Sequence, residues 1–118
     1  MLKHYFMCSY KTWYYEEKTG YVIECSRCDK IQVGFGNVLI TFFKEEFNSF
    51  RKHIVQLFNR QQYVAESNIK HIMIPTPCTG LTLLLNAQEL NELYTMLETA
   101  DNEIQANQLL QLFHKEDD

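Results

Sequence analysis

Two cysteines at the spacing Cys-x-x-Cys, Cys25 and Cys28, stand in the stretch ECSRCDKIQVGFGNVLITF, and thiols so placed can do three kinds of chemistry. In a zinc knuckle, a tight turn between two strands aims both thiolates at one ion, and structural zinc takes four such ligands. In a redox couple, the pair cycles between dithiol and disulfide and needs one sulfur with a depressed pKa. In the third case both thiols are reduced and structural. Arg27 and Lys30, with the amides of the turn, favour thiolate over thiol. Cys8 is the candidate third ligand. His4, four residues before it, is the candidate fourth, with Cys78 and His71 as alternatives for that place. A second complete Cys-x-x-Cys, the stronger zinc signature, is absent from the sequence. The redox reading lacks the helix start that lowers a thiol's pKa in thioredoxin-like sites, because the residues after Cys28 alternate like a strand. On sequence, the three readings stay open.

No other constellation points to catalysis. Gly34-Phe35-Gly36-Asn37 precedes a strand, so its glycines suit a hairpin rather than a phosphate loop. Ser, His and Asp form no familiar nucleophilic arrangement. Glu45 and Glu46 read as first-turn helix carboxylates. The aromatic residues Tyr5, Phe6, Tyr10, Trp13, Tyr14, Tyr15 and Tyr21 exceed what one sheet face needs, and the surplus suits a partner surface or a dimer edge.

The elements that must position the cysteines follow from periodicity. The first twenty-five residues are rich in strand-forming aromatics, with a turn at Glu16–Gly20 and a strand at Tyr21–Glu24. Ile31, Val33 and Phe35 alternate up to a Gly36-Asn37 turn, and Val38, Ile40 and Phe42 resume the alternation, predicting a hairpin. Phe47, Phe50, Ile54, Leu57 and Phe58 have helical spacing over 44–63. A second hairpin is predicted from Ile72-Met73-Ile74 and Leu81–Leu85, with a Pro-bracketed loop carrying Cys78. Asn86 and Glu89 then form a capping box for a helix with Leu90, Leu93, Leu97, Ala100 and Ile104 on one face. The spacing breaks near Ala106-Asn107 before Leu109, Leu110 and Phe113. Either the helix kinks there, or a separate short helix packs elsewhere, or a continuous helix of about 40 Å leaves apolar residues needing a partner. A homodimer is the expectation.

At 118 residues the chain is read as a single domain, 1–118, able to fold without a disulfide or metal. Residues 1–29 hold the N-terminal strands and the cysteine turn, 30–65 and 69–114 form two ββα units, and 115–118 form a tail. The first residues lack the apolar run of a secretory signal, and no stretch approaches a membrane span, so a cytoplasmic location and no membrane contact are expected. The net charge of −4 is uneven: residues 86–118 carry one Lys against eight acids. That distribution argues against a nucleic-acid partner, whose contacts need clustered Lys and Arg.

The segment CSRCDKIQVGFGNVLITFFKEEFNSF resembles a family of small uncharacterised bacterial proteins that place a Cys-x-x-Cys before a Gly-Asn hairpin and a Phe-rich helix. The resemblance covers most of the chain after residue 20 and implies no activity. The fold expected is α+β, a twisted antiparallel sheet of about six strands with two main helices on one face. The function expected is a non-enzymatic interaction or regulatory module, with zinc as the candidate cofactor and no catalytic residue. The alternative is a thiol-based redox enzyme or sensor using Cys25 and Cys28.

Overall fold

A computed structural model describes residues 9–61 and 68–117. Four strands come first, β1 (Tyr10–Glu16), β2 (Gly20–Cys25), β3 (Lys30–Phe35) and β4 (Val38–Phe43), followed by helix α1 (Lys44–Gln61). A short hairpin, β5 (Ile72–Pro75) and β6 (Thr82–Leu85), then leads into helix α2 (Ala87–Asp117). The fold is α+β, and six strands are present among the described residues, as expected. They divide into a four-stranded antiparallel meander, β1-β2-β3-β4, and a separate two-stranded sheet, β5-β6. The expectation of one continuous sheet is corrected in that respect. β5 and β6 have only four residues each. Their inward residues Ile72, Ile74, Leu83 and Leu85 are buried in the same core as the larger sheet. Such a hairpin satisfies its apolar face by packing, without needing an edge of the larger sheet.

The meander is built by alternation. Val22 pairs with Val33, Val33 with Ile40, and Ile31 with Phe42, so one face is a continuous apolar surface. Gly36 takes a φ of +60°, and Phe35 and Val38 pair directly across it. This is the two-residue turn with a positive first φ that the Gly-Asn pair predicts. Gly34 lies opposite Tyr21, whose ring occupies the space a side chain there would take: a Cβ would meet Tyr21 Cε1 at 2.7 Å. In β1 the register shifts between Thr12 and Tyr14, which leaves Trp13 as an inserted residue. A bulge of this kind re-aims a side chain.

Both helices cover the apolar face. Phe47, Phe50 and Ile54 of α1 are buried, and the Phe42 ring lies 5.0 Å from Phe50 and 6.1 Å from Phe47, the latter edge-on. The expected capping box of α2 is present in both directions. The Glu89 amide donates to Asn86 Oδ1 at 2.8 Å, and the Asn86 amide donates to Glu89 Oε1 at 2.9 Å. Leu90, Leu93, Met96, Leu97 and Ala100 are buried, and Phe58 of α1 stacks on Tyr94 at 3.9 Å. The helix is unbroken through Asn107, and among the described residues no separate terminal helix follows. α2 runs for 31 residues, about 46 Å, and takes in residues of the segment 115–118 that the sequence reads as a tail. Among the described residues no helix is long and apolar enough to cross a membrane.

Candidate functional site

Cys25 ends β2 and is buried, while Cys28 lies in the following turn and is exposed. The Cys28 amide donates to Cys25 Sγ at 3.2 Å, and the Asp29 amide donates to the Cys25 carbonyl at 3.1 Å. Asp29 closes the turn with a φ of +59°, the left-handed region that a side chain resists. The turn delivers the chain into β3, so no helix start stands behind either sulfur.

The turn is clamped from outside by Lys44, the first residue of α1. Its Nζ lies 2.8 Å from Asp29 Oδ1 and 3.2 Å from Glu24 Oε2. Glu24 and Asp29 are the residues immediately before Cys25 and after Cys28. Glu24 shares the inward face of the sheet with Val22, and the Trp13 indole N–H donates to its Oε1 at 2.9 Å. The Trp13 bulge and the ammonium together satisfy a carboxylate set over the core. The hydrogen bond to Asp29, with Glu24 adding to it and partial burial opposing, raises the Lys44 pKa above its ordinary 10.5.

Of these residues Trp13, Glu24 and Lys44 line an open groove of about 830 Å³ between the sheet, α1 and the second half of α2. At its centre Arg51 Nη1 donates to Glu98 Oε1 at 2.9 Å, and its Nε faces Asp101 Oδ1 at 3.6 Å. Asp101 is buried, and Gln105 Nε2 donates to its Oδ2 at 2.7 Å. The guanidinium is thus occupied in joining α1 to α2. Among the described residues that line the groove no nucleophile is paired with a base, and mixed charges line it.

Of the sequence-predicted ligands, Cys25 and Cys28 are brought together. His71 and Cys78 belong to the other sheet: His71 Nδ1 is 2.9 Å from the Ile69 carbonyl, and Cys78 is exposed in the β5–β6 loop. Among the described residues no group of three or more His, Cys, Asp or Glu could hold a metal ion. Cys8 and His4 lie outside the described residues, as do Tyr5 and Phe6 of the aromatic set.

The second half of α2 presents a different kind of surface. With about 100° between successive residues, the buried residues 90–104 centre on one side of the helix. Leu109, Leu110, Leu112 and Phe113 centre roughly 180° away. They are 58–64% exposed. The side that continues the core face carries Asn107, Gln108 and Gln111, which line the groove together with the flanking Leu109 and Leu112.

Residues 7–115 match the model of a family of unknown function, DUF6686. The chain belongs to the DUF6686 family. No curated protein and no solved structure matches it. In this DUF6686 protein the Lys44 clamp and the Arg51–Glu98–Asp101 cluster were not read from sequence. Carboxylates flanking both cysteines are visible at Glu24 and Asp29, but nothing local says which cation meets them. Trp13 gives a weak signal, as one aromatic too many in a strand whose alternation it breaks.

Proposed function

We propose that this DUF6686 protein is a non-enzymatic interaction module that pairs with a second copy of itself through the C-terminal half of α2. The observation that carries the reading is the half-turn rotation of the apolar face along one continuous helix. A tail meant for its own core would continue the face of Leu93, Leu97 and Ala100; that face becomes Asn107, Gln108 and Gln111. Leu110 and Phe113 instead form a seam on the far side, three residues apart as in helix pairing, flanked by Leu109 and Leu112, which also line the groove. Two such seams, related by a twofold axis, cover each other. Light scattering at micromolar concentration tests the reading. The expected mass is that of a dimer, falling to a monomer when Leu110→Glu and Phe113→Glu are combined, with the circular dichroism unchanged. A wild-type monomer mass overturns it.

A further inference from the structure

We infer that the groove between the sheet, α1 and the second half of α2 receives an extended, acidic peptide segment of a partner protein. Its charges carry the inference. Among the described residues that line it, the carboxylates are Glu24 and Asp101, and each already faces a cation. Lys44 Nζ lies 3.2 Å from Glu24 Oε2, and Arg51 Nε lies 3.6 Å from Asp101 Oδ1. Two further cations line the groove, Lys11 of β1 and Lys52 of α1. Both are exposed, and neither makes an ion pair among the described residues. Lys11 Nζ instead lies over the Trp13 ring, 4.8 Å from its centroid. In a chain of net charge −4, two unmatched lysines on two walls of one groove are a local exception. They complement an occupant that brings carboxylates.

The amides of the α2 wall give the form of that occupant. Asn107, Gln108 and Gln111 line the groove, and their side chains make no hydrogen bond among the described residues. A carboxamide both donates and accepts. That matches the backbone of an extended chain, which offers an N–H and a C=O at each residue. A small anion calls for donors alone. The groove is also open, whereas small-molecule sites bury about 70–90% of their ligand. Ile31, Phe47 and Ile104 supply an apolar part of the lining. Successive side chains of an extended peptide point to opposite faces, so alternation of acidic and apolar residues serves the lysines and the apolar lining at once. Leu110 and Phe113, the seam of the proposed self-pairing, are not among the residues that line the groove, so the two surfaces are tested separately.

Trp13 lines the groove and is the single tryptophan of the chain, so its fluorescence reports occupancy. The test titrates the full-length chain with a capped peptide of alternating glutamate and leucine, about eight residues long, which spans about 26 Å when extended. The expected result is a saturable change in Trp13 emission that weakens as salt is raised. The matching lysine–leucine peptide should bind at least about tenfold more weakly. Lys11→Glu and Lys52→Glu combined, with unchanged circular dichroism, should weaken the acidic peptide by about tenfold or more, since two exposed ion pairs become like-charge contacts. Gln108→Leu should weaken it by about two- to tenfold, the worth of one hydrogen bond. Combining Leu110→Glu with Phe113→Glu should leave peptide binding unchanged whatever it does to the mass. No Trp13 response at millimolar peptide, or equal binding of the two peptides, overturns the inference. So does binding indifferent to the lysine reversals. A response to glutarate or to a thymidine oligonucleotide that exceeds the response to the acidic peptide assigns the groove to a small anion or to nucleic acid instead, and overturns the peptide. Loss of binding in the Leu110→Glu, Phe113→Glu chain overturns a groove complete within one copy.

Discussion

Lys44 joins the cysteine turn to α1, and its charge makes that joint dependent on pH. Its pKa is raised above 10.5 in the folded chain, first by the hydrogen bond to Asp29. The clamp therefore contributes its full stability below pH 10.5 and loses it as the pH rises through the higher folded-state value. Lys44 and Asp29 are largely exposed, and ion pairs in such settings contribute about 0.2–1 kcal/mol each. Lys44→Met should lower the Tm by roughly 2–5 °C at pH 8. Melts of both chains at a series of pH values should show that difference constant to about pH 10 and shrinking beyond it. A difference that grew with pH would place the clamp elsewhere. Gly36 offers a second check at this scale, independent of charge. Its φ of +60° leads two paired strands into the hairpin turn, and Gly36→Val should cost about 1–2 kcal/mol or more because a β-branched residue resists that region. Since a Cβ there meets no atom within 4 Å, any loss on denaturant unfolding reports backbone strain and not a clash.

Among the elements, the entry to α2 is the best-determined joint. Glu89 uses one carboxylate oxygen on the Asn86 amide and the other on Lys70 at 3.2 Å, linking the helix start to the chain just before β5. Asn86→Ala removes the acceptor of the Glu89 amide and should cost about 1 kcal/mol, a Tm drop of roughly 3–6 °C. An unchanged Tm would mean that the first turn is held by packing alone. This box was legible because capping depends on residues three apart, and the same is true of the Gly36-Asn37 hairpin and the apolar face of α1. What was not legible depends on distant partners. Nothing in Ile72–Leu85 states whether its hairpin extends the first sheet or stands apart. The broken spacing after Ile104 is equally consistent with a kink and with a straight helix that changes the side it offers. The cysteine pair was visible as a motif, and its context between strands was correct. The Lys44 clamp joins positions fifteen or more residues away, and no local pattern encodes it.

At the scale of the whole molecule, the question is whether the last turns of α2 belong to one copy or to two. The core ends near Ile104, which is half-buried, and beyond it Leu109, Leu110, Leu112 and Phe113 keep more than half of their surface exposed. Each therefore contributes little to the stability of its own chain, since stabilisation follows the apolar area removed from water. In a dimer the same residues stabilise by mass action, and the effect grows with protein concentration. A chain ending after Asn107 separates the two cases. At high dilution, where the dimer has dissociated, it should melt within about 2 °C of the full-length protein, because only exposed residues have been removed. As concentration rises into the micromolar range, the Tm of the full-length protein should climb while that of the shortened chain stays level. If the shortened chain is unfolded at every concentration, the tail is part of the monomer's own fold. If the full-length Tm is independent of concentration, the far-side seam does not join two copies, and the rotated face of α2 must serve a different partner.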